Sequence, residues 1–379
     1  MQGRWVGLSI VSGLFILRPG NAHTQAKYAN AWLEIGTHAR ALGTGGAAVA
    51  SCQDVSAAYW NPAGLVAMTE RVQLSLMHNE HFGGVVKFDY GGLGVRIGEK
   101  GAGAISLLRQ GVDNIPNTLE LIDKDGQIRY DRVTSFSVAD YAVLLSYAHI
   151  LPLEGLSVGG TAKVLHRSIG PFGSGWGIGL DAGVRYVREG LCLGLALRDI
   201  STTHMYFSYN TEYFREVFSL TGNEVIARSS EMALPKIVPS VAYKLAIGSQ
   251  ENFHVMPALD VVITTDGKRN TLVSAKPISL DIRAGLEADF KNIVFLRGGV
   301  GRFQRVEETP GRYSWLVQPA VGMGIRIKTV AVDYSFTNFA QQGNGLFSHI
   351  VSLTLGFKAF EDKLGSERPQ KGRPIIRNR

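Results

Sequence analysis

The chain has 379 residues, of which 19% are charged and 45 are glycine, with a formal net charge of +7. The 13 prolines and the 45% of hydrophobic residues exclude a disordered or collagen-like chain. Beyond the N-terminus no apolar run is long enough for a membrane-spanning helix. This leaves a soluble β protein or a transmembrane β-barrel, whose apolar residues alternate along the strands.

The N-terminus predicts a secretory signal peptide over residues 1–26. Arg4 supplies a positive charge, and "WVGLSIVSGLFIL" (5–17) is apolar but too short to span a bilayer. The small residues in "NAHTQA" favour cleavage after Ala26, with Ala22 as the second choice.

Two cysteines, Cys52 and Cys192, are too few for a disulfide scaffold. They could pair, but sequence does not show that their Cα atoms come close. The preferred interpretation is two small buried residues.

The segment 27–69 is rich in alanine and glycine and contains "DVSAAYWNPAGL" (54–65). Asp54 is expected to cap a short helix through the amides of Ser56 and Ala57. Pro62 ends that helix because it pushes Asn61 out of the helical region. Gly64 then turns the chain, and Tyr59 and Trp60 present two large aromatic rings.

Fourteen stretches alternate apolar and polar residues, the pattern of β-strands with one wet face. In "ISLDIRAGLEADF" (278–290) the alternation is unbroken. The strands are predicted at 71–78, 85–97, 102–110, 136–148, 156–168, 176–188, 191–201, 237–247, 254–264, 278–289, 292–302, 314–327, 329–338 and 348–358. Their polar face carries both signs of charge, which predicts a charge-paired lumen: Asp181, Arg185, Arg198, Lys244, Asp260, Asp281, Arg283, Glu287 and Asp333.

The connections are sorted by length. Turns after even-numbered strands are short, as in "GEKG" (98–101) and "EG" (189–190), whereas most others are longer, including 111–135, 202–236 and 303–313. Short turns at one end, long loops at the other and an even strand count predict an all-β, 14-stranded antiparallel transmembrane β-barrel over residues 70–358. Residues 359–379 then form a basic C-terminal tail.

Such a barrel is too wide for its own side chains to fill. Residues 27–69 are the spare segment of suitable size, so they are predicted to be a plug in the lumen. Its motif residues are Asp54, Tyr59, Trp60, Asn61, Pro62 and Gly64, with the two aromatic rings wedged against the barrel wall.

The stretch "ALGTGGAAVASCQDVSAAYWNPAGLVAM" (41–68) resembles the N-terminal motif of the PorV/PorQ family of outer-membrane proteins. That family belongs to the FadL-like group of barrels, whose hatch carries an Asn-Pro-Ala motif, here Asn61 to Ala63. The blocks "RQGVDNIPNT" (109–118), "FSVADYAVLLSYAHIL" (136–151), "GGTAKVLHRSIG" (159–170) and "LALRDIST" (195–202) are also similar to the family.

The resemblance implies a location in the bacterial outer membrane, among outer-membrane lipid. It also implies a docking or shuttle role in type IX protein secretion, with extracellular loops that bind secreted proteins or their C-terminal sorting domains. The alternative is a FadL-like channel that passes hydrophobic small molecules through the hatch. The alternating strands are common to both functions.

One loop, 202–236, is dense in aromatic residues, which favours a contact surface or a self-packed lid equally. The candidate partner-binding residues are Tyr206, Phe207, Tyr209, Tyr213, Phe214 and Phe218.

No enzyme, cofactor or nucleic-acid function is predicted. His78, Glu80 and His81 have no clear further ligand for a metal. No nucleophile elbow occurs, and the basic residues are scattered rather than gathered on one helix or finger.

Overall fold

The computed structural model describes residues 29–123, 125–215, 226–248, 252–309, 311–338 and 347–357. These residues form a closed antiparallel barrel of 14 strands around an N-terminal segment, which confirms the predicted fold. The barrel closes between the first and last strands, from the pair Val72–Phe357 to the pair Glu80–His349. The predicted signal peptide (1–26) and the tail (359–379) lie outside the described residues.

Two strands are interrupted, but each interrupted strand keeps its neighbours. The strands are β1 (Val72–His81), β2 (Val86–Ile97), β3 (Gly101–Asn117), β4 (Thr134–Ile150), β5 (Leu156–Ile169), β6 (Gly173–Arg188), β7 (Leu191–Arg198 and Thr203–Tyr209), β8 (Arg228–Ala233, Lys236–Tyr243 and Leu245–Ile247), β9 (Phe253–Thr264), β10 (Ser279–Phe290), β11 (Val294–Thr309), β12 (Arg312–Ile327), β13 (Val330–Thr337) and β14 (Ser348–Phe357).

The helices are short. The N-terminal segment contains a 3₁₀ turn at Ala31–Ile35, helix α1 at Ala39–Gly43, helix α2 at Ala57–Trp60 and a second 3₁₀ turn at Pro62–Ala67. Further 3₁₀ turns lie at Phe82–Gly84, Tyr130–Arg132 and Gly170–Phe172, and residues 211–215 are helical. No helix in the described ranges is both long and apolar enough to cross a membrane.

The alternation seen in the sequence sorts the side chains between the two faces of the wall. On β10, Leu286 and Phe290 are exposed on the outer face, whereas Glu287 and Asp289 are buried on the inner face. Apolar residues that point outward must meet hydrocarbon if they are to be removed from water.

Strand β6 shows the height of this outer apolar band. Its outward residues Ile178, Leu180, Ala182 and Val184 lie between two aromatic residues, Trp176 and Tyr186. Ten residues of strand extend about 33 Å, which a tilt of about 40° reduces to about 25 Å of height. That height matches the apolar band of an outer-membrane barrel.

Several predicted loops are instead strand continuations. The predicted loop 202–236 contains the second half of β7 and the first segment of β8, which pair with each other. The predicted loop 303–313 is also largely strand, because β11 continues to Thr309 and β12 begins at Arg312. The long-loop end of the barrel therefore extends well beyond the alternating stretches from which it was predicted.

Candidate functional site

The N-terminal segment lies inside the barrel. Contacts join α1 to β11, β12, β13 and β14, whereas α2 and the second 3₁₀ turn contact strands from β3 to β6. We call residues 29–68, the described part of the predicted segment 27–69, the plug. Because strands on opposite sides of the wall touch it, the plug fills the lumen.

Wall side chains bind the backbone of the plug at many points, and this satisfies peptide groups that have no strand partner. Asp260, for example, accepts from the amides of Ala48 (3.1 Å) and Val49 (3.2 Å). Four more contacts of this kind join Ala39 to Ser352, Val55 to Gln73, Ala58 to Thr161 and Ala63 to Ser157.

The motif 54–65 forms a turn, one helix and a second turn. The Asp54 carboxylate accepts from the Ser56 amide at 2.8 Å, and α2 ends at Trp60, directly before Asn61-Pro62. Burial alone would raise the pKa of Asp54. The electrostatic effect of nearby His38 and Arg40 outweighs burial, so the pKa of Asp54 is lowered. Gly64 is the residue at which the sequence predicts a turn of the chain. It lies within the second 3₁₀ turn, where a Cβ would come within 2.6 Å of the Cys52 carbonyl oxygen.

Asn61 joins the plug to the wall. Its side-chain amide donates to the carbonyl oxygens of Val49 in the plug (3.1 Å) and Val184 on β6 (3.0 Å). Its side-chain oxygen accepts from the Ala63 amide, which caps the turn that begins at Pro62. The approach is close enough that a Cβ on Gly183 would lie 2.0 Å from the Asn61 oxygen.

Tyr59 and Trp60 pack edge to face, with ring centroids 5.0 Å apart, and both are buried. The Trp60 indole donates to the Thr37 carbonyl at 2.9 Å, and the Tyr59 hydroxyl donates to the Leu33 carbonyl. Arg198 on β7 lies 4.6 Å from the Tyr59 ring centroid. The two rings therefore stabilise the plug by contacts within it, and they contact the barrel wall through a cation–π interaction with Arg198.

A chain of buried charges anchors α1 to the wall. The Arg40 guanidinium binds both carboxylate oxygens of Glu287 on β10, each at 2.9 Å. Arg297 on β11 donates to Glu287 at 2.7 Å and to Asp333 on β13 at 2.7 Å. Each charge thus faces an opposite charge at hydrogen-bond distance, which buried ions require.

A second cluster anchors the first turn of the plug. Glu34 pairs with Lys236 on β8 and lies 3.4 Å from Arg269. Burial alone would raise the pKa of Glu34, but the cations of Lys236, Arg269 and Arg302 outweigh it and lower that pKa to about 2. Glu34 is therefore ionised at neutral pH.

Cys52 and Cys192 are both buried and are not joined to each other. Burial raises the pKa of the Cys52 thiol to about 12, so this group stays neutral inside the plug.

The inner wall is not uniformly polar. From β2 to β7 it carries large apolar residues, all buried, which the alternation of apolar and polar residues does not predict: Phe88, Leu108, Leu144, Leu165, Met205 and Phe207. Trp32 of the plug packs against Phe88 with ring centroids 6.0 Å apart. The charged anchors Glu287, Arg297 and Asp333 lie on the opposite side of the lumen.

Aromatic residues pack against each other beside the outer ends of β4 to β7. Phe172 packs against Phe136 (4.8 Å between centroids), Tyr213 (5.4 Å) and Phe214 (5.4 Å). Asn117 donates to the Tyr213 hydroxyl at 2.6 Å. These residues form a self-packed cover, which we call the outer lid.

The six candidate partner-binding residues do not share one surface. Tyr206 points outward and is 65% exposed, whereas Phe207 points into the lumen and is 3% exposed. Tyr209 is half-buried, and its hydroxyl lies 3.0 Å from that of Ser229. Tyr213 and Phe214 belong to the outer lid, and Phe218 lies outside the described residues.

The three residues that the sequence offers as metal ligands lie on different faces of the barrel wall. His78 and Glu80 lie on the outer face, where His78 contacts Asp89 at 2.7 Å. His81 lies on the inner face and hydrogen-bonds Ser348 at 2.8 Å. Within the described ranges no group of three or more potential ligands is arranged for a metal ion.

Together these features define a plugged transmembrane barrel. Its lumen carries paired charges on the β10 to β13 side and, on the β2 to β7 side, apolar residues interspersed with paired charges such as Lys163 with Asp181 and Asp199. No family model and no curated protein sequence matches the chain. Among solved structures, it is similar to the toluene transporter TodX of Pseudomonas putida, with 12% identity and a TM-score of 0.54 over 86% of this chain and 99% of that one.

Two further structures are similar. The CymD monoaromatic hydrocarbon channel has 13% identity and a TM-score of 0.52 over 86% of this chain and 98% of its own. The toluene transporter TbuX of Ralstonia pickettii has 14% identity and a TM-score of 0.50 over 85% and 98%. At these identities the likeness establishes the FadL-like fold, and it does not show membership of the PorV/PorQ family.

Proposed function

We propose that the protein is an outer-membrane channel for small hydrophobic molecules, closed in this state by its plug. The outward apolar band and the solved structures of the same fold support the membrane location. Those structures are channels or transporters for toluene and other monoaromatic hydrocarbons, and this supports the substrate class proposed here.

The observation that carries the proposal is the apolar side of the lumen. It comprises Phe207, Leu165 and Leu144, which belong to one buried apolar cluster with Trp32 of the plug. The charges beside them are paired with each other, Arg167 with Asp140 and Lys163 with Asp181 and Asp199. An apolar molecule can contact this cluster without breaking a hydrogen bond, because the neighbouring charges are paired within the wall. On the β10 to β13 side it would have to separate Arg40 of the plug from Glu287. Passage requires the plug to shift, since the plug occupies the lumen here.

The docking role in type IX secretion has no support among the similar structures. It stays a prediction from the sequence resemblance. The structure offers little of the aromatic surface expected for docking, because Tyr206 is the only largely exposed residue among the described aromatic candidates.

Substitutions at two adjacent residues of β7 distinguish the channel function from the docking function. Phe207→Gln replaces an apolar ring of the inner wall with an amide, and we expect the initial uptake of labelled toluene to fall at least about fivefold, because placing a polar group in an apolar path costs at least about 1 kcal/mol. Tyr206→Gln makes a similar change on the outer face and should leave uptake unchanged. The measurement uses cells that lack their own hydrocarbon channels and express equal amounts of each variant.

Equal uptake by both variants, or uptake no faster than in cells without the protein, would contradict the channel. A docking role through this loop predicts the opposite order, because Tyr206 is the exposed ring. Capture of secreted proteins should then fail in Tyr206→Gln and persist in Phe207→Gln.

A further inference from the structure

Strands β10 and β11 separate near the outer end of the barrel. Their pairing ends at Ala284 and Val300, yet β11 continues to Thr309 and stays paired with β12. In place of the ladder, the Asp281 carboxylate accepts from the Phe303 amide at 3.2 Å. The connection 265–278 borders the space above this separation.

A cleft of about 620 Å³ lies between that connection and the β11–β12 hairpin. The hairpin contributes Arg305, Glu307, Tyr313 and Trp315, which share the outer face of the wall because Arg305 is paired with Trp315 and Glu307 with Tyr313. The connection contributes Lys268 and Leu272, among others. The cleft therefore opens on the side of the barrel that faces the membrane.

Within the described ranges, the basic groups in the cleft have no acidic partner. Arg305 stacks on Tyr313, with its guanidinium carbon 4.3 Å from the ring centroid. Among the residues that the structure describes, neither Arg305 nor Lys268 forms an ion pair. Glu307, the carboxylate in the cleft, accepts instead from the Gly311 amide at 2.7 Å.

The cleft lies at the upper border of the apolar band. Below Trp315, the outward residues of β12 are Val317, Pro319, Val321, Met323 and Ile325. The ten residues of β12 from Leu316 to Ile325 cover about 25 Å of height at a tilt of about 40°. Trp315 thus lies where lipid headgroups begin, which is the usual position of tryptophan in membrane proteins.

We propose that this cleft binds the phosphorylated headgroup of a lipid in the outer leaflet. Arg305 and Lys268 bind the phosphate, while Trp315 and Leu272 contact the upper part of the acyl chains. A free cation paired with an aromatic ring at this height suits an amphipathic anion better than a hydrated ion, because the ring supplies apolar contact. The proposal rests on the membrane location proposed above and is independent of hydrocarbon transport.

The test measures binding of diphosphorylated lipid A to the full-length protein in detergent by native mass spectrometry. We expect the double variant Lys268→Gln/Arg305→Gln to bind about thirtyfold more weakly, since each basic residue near a lipid surface contributes roughly fivefold. The matched control is Lys276→Gln/Arg312→Gln, which removes two charges from the same connection and hairpin but not from the cleft. It should change affinity less than threefold.

Three further measurements distinguish a lipid phosphate from free inorganic phosphate. Dephosphorylated lipid A should bind the native protein as weakly as the intact lipid binds the double variant. Inorganic phosphate at millimolar concentration should not displace lipid A, and Trp315→Ser should weaken lipid binding several-fold.

Equal affinity of the two double variants, or no effect of dephosphorylation, would overturn the proposal. Full displacement by inorganic phosphate, with no effect of Trp315→Ser, would also overturn it and indicate a site for free anions. Toluene uptake by Lys268→Gln/Arg305→Gln should equal that of the native protein, so failure of this proposal and failure of the channel can be told apart.

Discussion

Glu287→Ala is expected to release the plug from the wall. The change leaves the guanidiniums of Arg40 and Arg297 without the carboxylate that binds both, at 2.9 and 2.7 Å, in a site where all three are largely buried. Removing one partner from a buried ion pair costs about 3–5 kcal/mol. We expect the free energy of plug opening, measured by hydrogen exchange of the amides in residues 31–68, to fall by that amount.

Two variants control this result. Glu308→Ala removes a carboxylate from an exposed pair, in which Glu308 lies 4.0 Å from Arg312, and should cost less than about 1 kcal/mol. Arg40→Met/Glu287→Leu removes the pair together and should recover most of the loss, because Arg297 keeps Asp333. If Glu287→Ala behaved like Glu308→Ala, the anchor would not hold the plug.

Trp60→Ala should destabilise the plug from within by about 3–5 kcal/mol, the usual cost of removing a large buried aromatic ring. Trp60 is 1% exposed, packs against Tyr59 and donates to the Thr37 carbonyl. Hydrogen exchange of the amides in residues 31–68 measures this decrease in the free energy of plug opening. Trp60→Phe keeps most of the ring volume but leaves the Thr37 carbonyl without this donor, so it should cost less, about 1–3 kcal/mol.

Tyr130→Ala is the matched control for loss of an aromatic ring, because Tyr130 lies in a connection and is largely exposed. It should leave plug exchange unchanged. Unchanged exchange in Trp60→Ala would show that the Tyr59–Trp60 pair does not hold the plug together.

The barrel could be predicted from the sequence because each face of a strand has a single environment. In β10, lipid outside and charged groups inside impose an unbroken alternation from Ile278 to Phe290. Turns such as Glu189-Gly190 then fix where strands reverse. The plug could be predicted from the volume of the lumen, because a barrel of this width must be filled and residues 27–69 are the segment that precedes the first strand.

Other features could not be predicted from the sequence, for physical reasons. In "AVLL" (142–145) both faces are apolar, because the inner face of β4 meets the apolar part of the lumen, so alternation does not distinguish the faces. The anchor between Arg40 and Glu287 joins residues 247 positions apart, and no local pattern links them. Strand β7 continues past a break at Asp199–Thr202, where both of these residues have positive φ, so its outer half resembles a loop in sequence.

The central claim is that the plug closes a barrel that would otherwise be open. The most direct test is ion conductance across a planar bilayer, comparing the mature chain with one that lacks residues 27–69. Both should insert and show the heat-dependent gel mobility of a folded barrel. We expect the complete protein to conduct little and the shortened protein to form a steady open pore with conductance at least about tenfold higher, because a barrel of this width without its plug leaves an aqueous path. A shortened protein that inserts and folds but conducts no more than the complete one would contradict the account.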